Sequence, residues 1–187
     1  MMQYSVLKEQ IVKAADAEYL ETGKTRAGSI FRQVVTDLIK TKEFDSDDIP
    51  GLIGEAEVQI PTTGKVVVTG TGNVFSKDIL DIDDIYPDPD SGNASSYKYI
   101  KTTREVIANM TNNASNEPTK REILFYRVGS TLKFYKKEYA GNEYVTIVYI
   151  EAPAETIVES FEMGGLYSIG FLNRAIQESV NRLKVEL

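Results

Sequence analysis

The sequence predicts an α+β fold in which helices at both ends of the chain flank a region of β-strands. Apolar residues recur every three or four positions in residues 1–42, alternate with polar residues over much of 55–158, and return to helical spacing in 159–187. We therefore predict an N-terminal helical hairpin, an antiparallel β-sandwich-like unit and a C-terminal helix that packs on the N-terminal helices. Residues 1–42 and 159–187 form the helical part, and residues 43–54 form a linker.

The first 42 residues carry two apolar stripes. The first stripe is Leu7, Ile11, Ala14 or Ala15, and Tyr19. Gly23 is predicted to end this helix, because glycine commonly follows the last helical turn. The second, broader stripe is Ala27, Ile30, Phe31, Val34, Val35, Leu38 and Ile39. Two such helices with a short connection form a helical hairpin.

The linker is acidic and contains Pro50-Gly51, which interrupts regular structure. The clearest strand signal follows in residues 123–135, where two alternating runs flank Gly129-Ser130. A type II′ hairpin turn requires positive φ at its first central residue, so we predict that conformation for Gly129. A third strand over residues 144–150 is predicted to complete an antiparallel meander.

The C-terminal segment carries a narrow apolar seam. It consists of Ile169, Leu172, Ile176, Val180, Leu183 and Leu187. A helix with one apolar stripe is expected to dock on another surface. We predict that it packs against the helices of residues 5–42, in the same subunit or a neighbouring one. The candidate assembly-interface residues are Ile169, Leu172, Ile176, Val180 and Leu183.

The composition excludes several kinds of catalytic site. The chain has 187 residues and contains neither histidine nor cysteine. Disulfides, thiolate metal sites and catalytic sites of the Ser-His-Asp or Cys-His type therefore cannot form. We predict that the chain is not an enzyme and has no catalytic, cofactor-binding or metal-binding residues.

Charge and hydropathy limit the partners. The net charge of −7 argues against a general nucleic-acid binder, which needs a basic face. The N-terminus lacks the basic and apolar regions of a signal peptide, and no run of 18 apolar residues occurs. We therefore expect no membrane association.

Three motif-like segments have simpler structural interpretations. Gly23-Lys24-Thr25 lacks the earlier glycine of a phosphate-binding loop, since residue 18 is Glu18. Gly70-Thr71-Gly72 lacks the third glycine of a dinucleotide fingerprint and is predicted to be a turn. Asp88-Pro89-Asp90-Ser91-Gly92 is similar to the start of a calcium loop without the closing glutamate, so a solvated acidic loop over residues 78–90 is expected.

Tyrosines are concentrated in the β region. They are Tyr97, Tyr99, Tyr126, Tyr135, Tyr139, Tyr144 and Tyr149. Cross-strand packing is the simpler interpretation of this cluster. A surface that binds carbohydrate or protein ligands is the alternative, because tyrosine suits a half-exposed position.

The order of several segments resembles structural proteins of the neck and tail of short-tailed bacteriophages. The segments are Lys101-Thr102-Thr103-Arg104, Asn116-Glu117-Pro118-Thr119, Leu124-Phe125-Tyr126-Arg127-Val128-Gly129-Ser130-Thr131-Leu132-Lys133-Phe134-Tyr135 and Val145-Thr146-Ile147-Val148-Tyr149-Ile150-Glu151-Ala152-Pro153. Head-to-tail adaptor proteins and the ring proteins of crAss-like phages are similar. The resemblance covers residues 97–153 by motif and the whole chain by layout.

This resemblance implies a helical part, a β-sandwich and a C-terminal helix that assemble as a ring beneath the portal. It implies a virion location and three kinds of partner: copies of the chain itself, the portal or other neck and tail proteins, and DNA that passes through the channel without sequence-specific binding. It brings no catalytic residues. Two alternatives stay open: another phage assembly protein, such as a tail-completion factor, and a β-sandwich binding module for carbohydrate or protein ligands.

Overall fold

The computed structural model of the protein describes residues 2–17, 23–42, 44–75, 78–87, 97–111, 121–135, 143–154, 157 and 159–186. The chain divides into two compact units. The helical unit comprises Met1–Ile53 and Ala152–Leu187, and the β unit comprises Gly54–Glu151. The α+β fold class predicted from the sequence is confirmed.

The described elements are, in chain order, α1 (Tyr4–Ala14), α2 (Gly23–Lys40), β1 (Ile53–Ile60), β2 (Lys65–Val67), β3 (Ile79–Pro87), β4 (Lys98–Lys101), α3 (Arg104–Thr111), β5 (Glu122–Val128), β6 (Thr131–Tyr135), β7 (Glu143–Glu151) and α4 (Ile169–Glu186). Short 3-10 helices span Ser46–Asp48, Pro50–Leu52 and Met163–Gly165. The first two of these lie in the predicted linker, which is therefore partly ordered.

Helix α1 ends at Ala14, well before the predicted stop at Gly23. Asp16 has a φ of 55°, and the N–H groups of Asp16 and Ala17 donate to carbonyls of the last turn. This is a Schellman motif, in which aspartate takes the left-handed position that glycine usually occupies. Gly23 is instead the first residue of α2, so the prediction that it ends the first helix is wrong. Tyr19 lies outside the described residues.

The three long helices of the helical unit pack together, and α4 contacts both α1 and α2. The prediction that the C-terminal helix packs on the N-terminal helices is confirmed. All seven residues of the second predicted stripe are buried in α2. Leu7 and Ile11 of α1 are fully buried, as is the Phe31 ring of α2. The apolar side chains of this core are the main stabilising contribution to the helical unit.

The β unit contains two sheets with strand orders β1-β7-β3 and β2-β6-β5-β4. Strands β5 and β6 form the predicted antiparallel hairpin, and Gly129 has the predicted positive φ, at 56°. Strand β7 pairs with β3 in the other sheet, so the three-strand meander is wrong. Residues 145–150 are almost continuously apolar, which suits a central strand better than a third strand at a sheet edge.

The β4–β5 pair is parallel, whereas the pairs β2–β6, β5–β6 and β3–β7 are antiparallel. Parallel neighbours require a crossover connection, and helix α3 lies in the chain between β4 and β5. The sequence predicted neither this helix nor the parallel pair.

The two sheets share one apolar core made by their inward-facing side chains. Its members include Val58, Ile60, Val66, Ile82, Ile85, Ile123, Phe125, Leu132, Phe134, Val145, Ile147 and Tyr149. Tyr99 and Phe134 add an edge-to-face ring contact, with centroids 6.3 Å apart. This arrangement turns the second face of each sheet outward.

Two cations cover the outer edge of β3. Arg127 Nη1 donates to the carbonyl oxygen of Leu80 at 2.6 Å, and Lys101 Nζ donates to the carbonyl oxygen of Ile82. Lys101 also bonds both carboxylate oxygens of Asp81 at 2.9 Å. Because an edge strand offers unpaired backbone groups, these side chains block the addition of another strand to β3.

Candidate assembly surfaces

The five candidate interface residues of α4 differ in how far they are buried. Leu172, Val180 and Leu183 are buried within the subunit, with exposed fractions of 4%, 4% and 0%. Ile176 is half-buried, and Ile169 is 78% exposed. Three of the five therefore stabilise the subunit and are closed to a partner. Leu187 lies outside the described residues.

The buried face of α4 is rotated from the predicted seam by roughly 50°, at about 100° per residue. It includes Phe171, Ala175 and Ser179 in place of Ile169 and Ile176. Ala175 and Ser179 have no exposed surface, and the Ser179 hydroxyl donates to the Ala175 carbonyl at 2.6 Å. Small side chains at these positions let the helix backbone approach its neighbours closely.

A groove of about 400 Å³ lies beside α4 and the end of α2. Its charged groups are already paired: Arg182 bonds Asp37 at 2.7 Å and contacts Glu178 at 3.4 Å. The bond from Asp37 is the largest of the effects that raise the pKa of Arg182. A ligand that binds through Arg182 would have to compete with these ion pairs, so the groove offers no free cation at this position.

The outward face of the sheet β2-β6-β5-β4 is basic and aromatic, and we define its basic face as Lys65, Lys133, Tyr126 and Tyr135. Lys65 lies directly opposite Lys133, and Lys133 lies directly opposite Tyr126. Like charges in directly opposed positions repel each other. Among the described residues, neither lysine forms a salt bridge. An anionic group on this face would remove the repulsion.

Apolar side chains extend the basic face along the same sheet. Val67 and Val128 both lie directly opposite Thr131, one row from the lysines. Val128 is 41% exposed. This face therefore combines apolar, aromatic and cationic groups, as protein interfaces commonly do.

The outward face of the sheet β1-β7-β3 is acidic, and we define its acidic face as Glu55, Glu57 and Asp84. Glu55 and Glu57 alternate with the inward Ala56 and Val58, and both carboxylates are exposed. Asp84 lies opposite Val148 on the same face. No cation pairs with these three residues in the described part of the chain.

Tyr86 and Thr146 form part of the acidic face. They lie directly opposite each other on β3 and β7. Burial is the first cause of the raised pKa of Tyr86, and the carboxylate of Glu55 and its hydrogen bond with Tyr86 add to the shift. The hydroxyl of Tyr86 is therefore neutral near pH 7, and the negative charge of this face comes from carboxylates alone.

The motif-like segments of the sequence lie in turns and at a helix start where they are described. Gly70 and Gly72 have positive φ, at 77° and 81°, in the turn after β2, as predicted. Lys24 lies in the first turn of α2 and bonds Glu9 at 2.6 Å. The prediction of a solvated acidic loop over residues 78–90 is wrong for most of that range, because Ile79–Pro87 forms β3. Residues 88–92, which include the calcium-like motif, lie outside the described residues. Within the described part of the chain, no group of three or more carboxylates is arranged to hold a metal ion.

Tyrosines of the β unit divide between core and surface. Tyr99 and Tyr149 are 7% and 5% exposed and belong to the core. Tyr126 and Tyr135 are half-buried on the basic face, and Tyr144 is 41% exposed. Tyr139 lies outside the described residues.

Comparison of the sequence with protein-family models and with curated proteins gives no match to either. The described helices include none that is both long enough and apolar enough to cross a membrane. The function is therefore inferred from the sequence and structure of the chain itself.

Apart from the tyrosines, the residues of the two charged faces were not predicted from the sequence. The sequence feature that could have identified them is the set of polar residues that alternate with apolar ones along the strands, such as Glu55 and Glu57. That pattern marks outward positions, but it does not say which strands are neighbours. Only the register brings Lys65 opposite Lys133.

Proposed function

We propose that the chain is a virion structural protein, a subunit of a bacteriophage head-to-tail connector in the form of an adaptor or ring around the DNA channel. The observation that carries the proposal is the position of the resembling segments in the fold. Residues 124–135 form most of β5 and β6, and residues 145–151 form most of β7. These strands lie inside both sheets, so the resemblance rests on the framework of the β unit and not on a surface loop.

The layout of the chain also supports the proposal. A helical hairpin, a two-sheet β unit and a C-terminal helix that packs on the hairpin follow one another in the order that the resemblance implies. The partners are copies of the same chain and the portal or other neck and tail proteins. The acidic balance suits a channel wall past which DNA slides without sequence-specific binding.

A carbohydrate-binding module is less well supported. Sugar platforms require exposed aromatic rings, yet Tyr99 and Tyr149 pack in the core of the β unit. Tyr126 and Tyr135 lie beside lysines, a setting that favours an anionic partner over a neutral sugar. No feature of the described residues favours an enzyme.

The test is the assembly state of the purified full-length chain, alone and mixed with the portal protein encoded by the same genome. Mass photometry and negative-stain electron microscopy should detect closed rings of one size, or rings that form on the portal. A chain that stays monomeric over a wide concentration range and does not bind the portal would contradict the proposal. Binding of the monomer to glycans on an array would support the binding module instead.

A further inference from the structure

We propose that the basic face of one copy docks on the acidic face of the next copy, so that the β units form the head-to-tail contact of the assembly. This inference rests on the proposed ring function and names the surface that would build the ring. It starts from two oppositely charged sheet faces on a single chain. Neither set of charges has a counter-charge among the described residues.

The direction of the two faces gives the symmetry of the contact. Both sheets contribute their inward side chains to one core, so their outward faces point away from each other. A contact between unlike faces leaves one copy with a free acidic face and the other copy with a free basic face. Repetition of such a contact produces a closed ring when the rotation between copies closes, or a filament when it does not.

Pairing between identical faces is unfavourable. Two basic faces would add the lysines of a second copy to the opposed pair Lys65 and Lys133, and two acidic faces would bring Glu55 and Glu57 together with their counterparts. Unlike faces instead bring carboxylates to the lysines and relieve the repulsion between them. The charges therefore select a head-to-tail contact over a two-fold dimer.

Nucleic acid is a less suitable occupant of the basic face. Proteins that bind DNA through its phosphates usually place several lysines or arginines along the backbone. This face has two lysines on a chain of net charge −7. The same chain supplies a carboxylate surface of matching type, which favours a second copy.

The size of the basic face predicts a weak contact between two copies. Three strands at about 4.8 Å spacing and five residues at about 3.4 Å rise cover only on the order of 200 Å². A stable pair usually buries roughly 800 Å² on each partner. We therefore expect assembly to require high protein concentration, low salt or the closure of a ring.

The test uses charge reversal on one face at a time. One variant carries Lys65→Glu with Lys133→Glu, and a second carries Glu55→Lys with Glu57→Lys. A control carries Lys40→Glu with Lys184→Glu, which are exposed in the helical unit and change the charge by the same amount as the first variant. Circular dichroism checks that each variant folds, and sedimentation velocity at low and high salt measures assembly.

We expect each face variant alone to lose all species larger than the monomer, while the control assembles as the wild type does. An equimolar mixture of the two face variants should assemble again into oligomers in which the variants alternate, because the unchanged basic face of one fits the unchanged acidic face of the other and the two reversed faces fit each other. A chain with all four reversals should assemble again. Higher salt should shift the wild type towards monomer.

Other outcomes overturn the inference in distinguishable ways. Face variants that form normal rings would exclude these faces as the contact and leave the ring function standing. A basic-face variant that assembles normally but no longer retards a DNA oligonucleotide would assign the face to nucleic acid. A wild-type chain that is monomeric in all conditions, including with the portal, would overturn the ring function and this inference together.

Discussion

Ser168 and Asp48 join the start of helix α4 to the segment between the helical hairpin and the β unit. The Ser168 hydroxyl donates to Asp48 Oδ1 at 2.6 Å, and the Ser168 N–H donates to the Asp48 carbonyl at 2.8 Å. The same hydroxyl oxygen accepts the N–H of Phe171 at 3.1 Å. Ser168 therefore caps α4 and also ties it to a segment 120 positions earlier in the chain.

Substitution of Ser168 should destabilise the helical unit. Ser168→Ala removes the cap of α4 and the bond to Asp48, and loss of a cap typically costs about 0.5–2 kcal/mol. Asn173→Ala, at an exposed position of the same helix, is the control and should change stability by less than about 0.5 kcal/mol. Chemical denaturation measures both values. Equal stabilities for the two variants would show that the Ser168 contacts contribute nothing.

The Asp48 carboxylate should make stability depend on acid pH. The hydroxyl of Ser168, followed by the N–H of Asp45, lowers the pKa of Asp48 in the folded chain. A lowered folded pKa means that the contribution is complete above the unfolded pKa of about 3.9 and is lost as the pH falls through the lower folded pKa.

Asp48→Asn removes this titration. The variant should therefore be less stable than the wild type near neutral pH, and the difference should shrink as the pH falls below about 4. Urea denaturation of both proteins across acid pH measures the difference. A constant difference at every pH would contradict the assignment of this carboxylate.

Tyr167 has a buried hydroxyl with no hydrogen-bond partner among the described residues. Its ring stacks on Phe171 with centroids 5.5 Å apart, and burial raises the pKa of the hydroxyl. A buried unpaired hydroxyl costs about 1–3 kcal/mol, so Tyr167→Phe should stabilise the chain by about 1 kcal/mol. Tyr99→Phe is the matched control, because the Tyr99 hydroxyl bonds Glu143 at 3.2 Å, and this variant should lose stability.

Gly129 is required by the conformation of the β5–β6 turn. A Cβ at this position would meet no heavy atom within 4 Å, so the cost of Gly129→Val comes from the φ of 56° and not from a clash. We expect a loss of about 1–3 kcal/mol. Ser130→Val, at the next position of the same turn, has no positive φ to oppose it and should cost less. Thermal melts that rank the two variants in the opposite order would contradict this account.

The sequence predicted the helices better than the sheets, for a physical reason. The stripe of α2 contains large apolar residues only on the side that packs, so the spacing identifies the buried face directly. Alternation in the β region identifies inward and outward positions, but hydrogen bonding between strands depends on the path of the chain. The place of β7 in the other sheet and the parallel β4–β5 pair could not be predicted from alternation.

The assembly surfaces were the part of the structure that the sequence predicted least well. The predicted α4 seam follows the three- and four-residue spacing of aliphatic residues, which omits Phe171, Ala175 and Ser179 on the buried face. The charged faces depend on which residues become neighbours across strands, and those neighbours are far apart in the chain. Composition and spacing carry no information of that kind.

The two sides of α4 should respond differently to a charge. Val180 is 4% exposed, and Val180→Asp would bury a carboxylate in place of an apolar side chain. The lost burial alone is worth about 1.5–3 kcal/mol, and the buried charge adds to it, so the helical unit should unfold or melt at a much lower temperature. Ile169→Asp should cost less than about 0.5 kcal/mol, because Ile169 is 78% exposed and an acidic residue is favourable in the first turn of a helix. Far-UV circular dichroism of both variants during heating makes the comparison. Equal tolerance of the two substitutions would show that the buried face of α4 is not the one formed by Leu172, Ser179 and Val180.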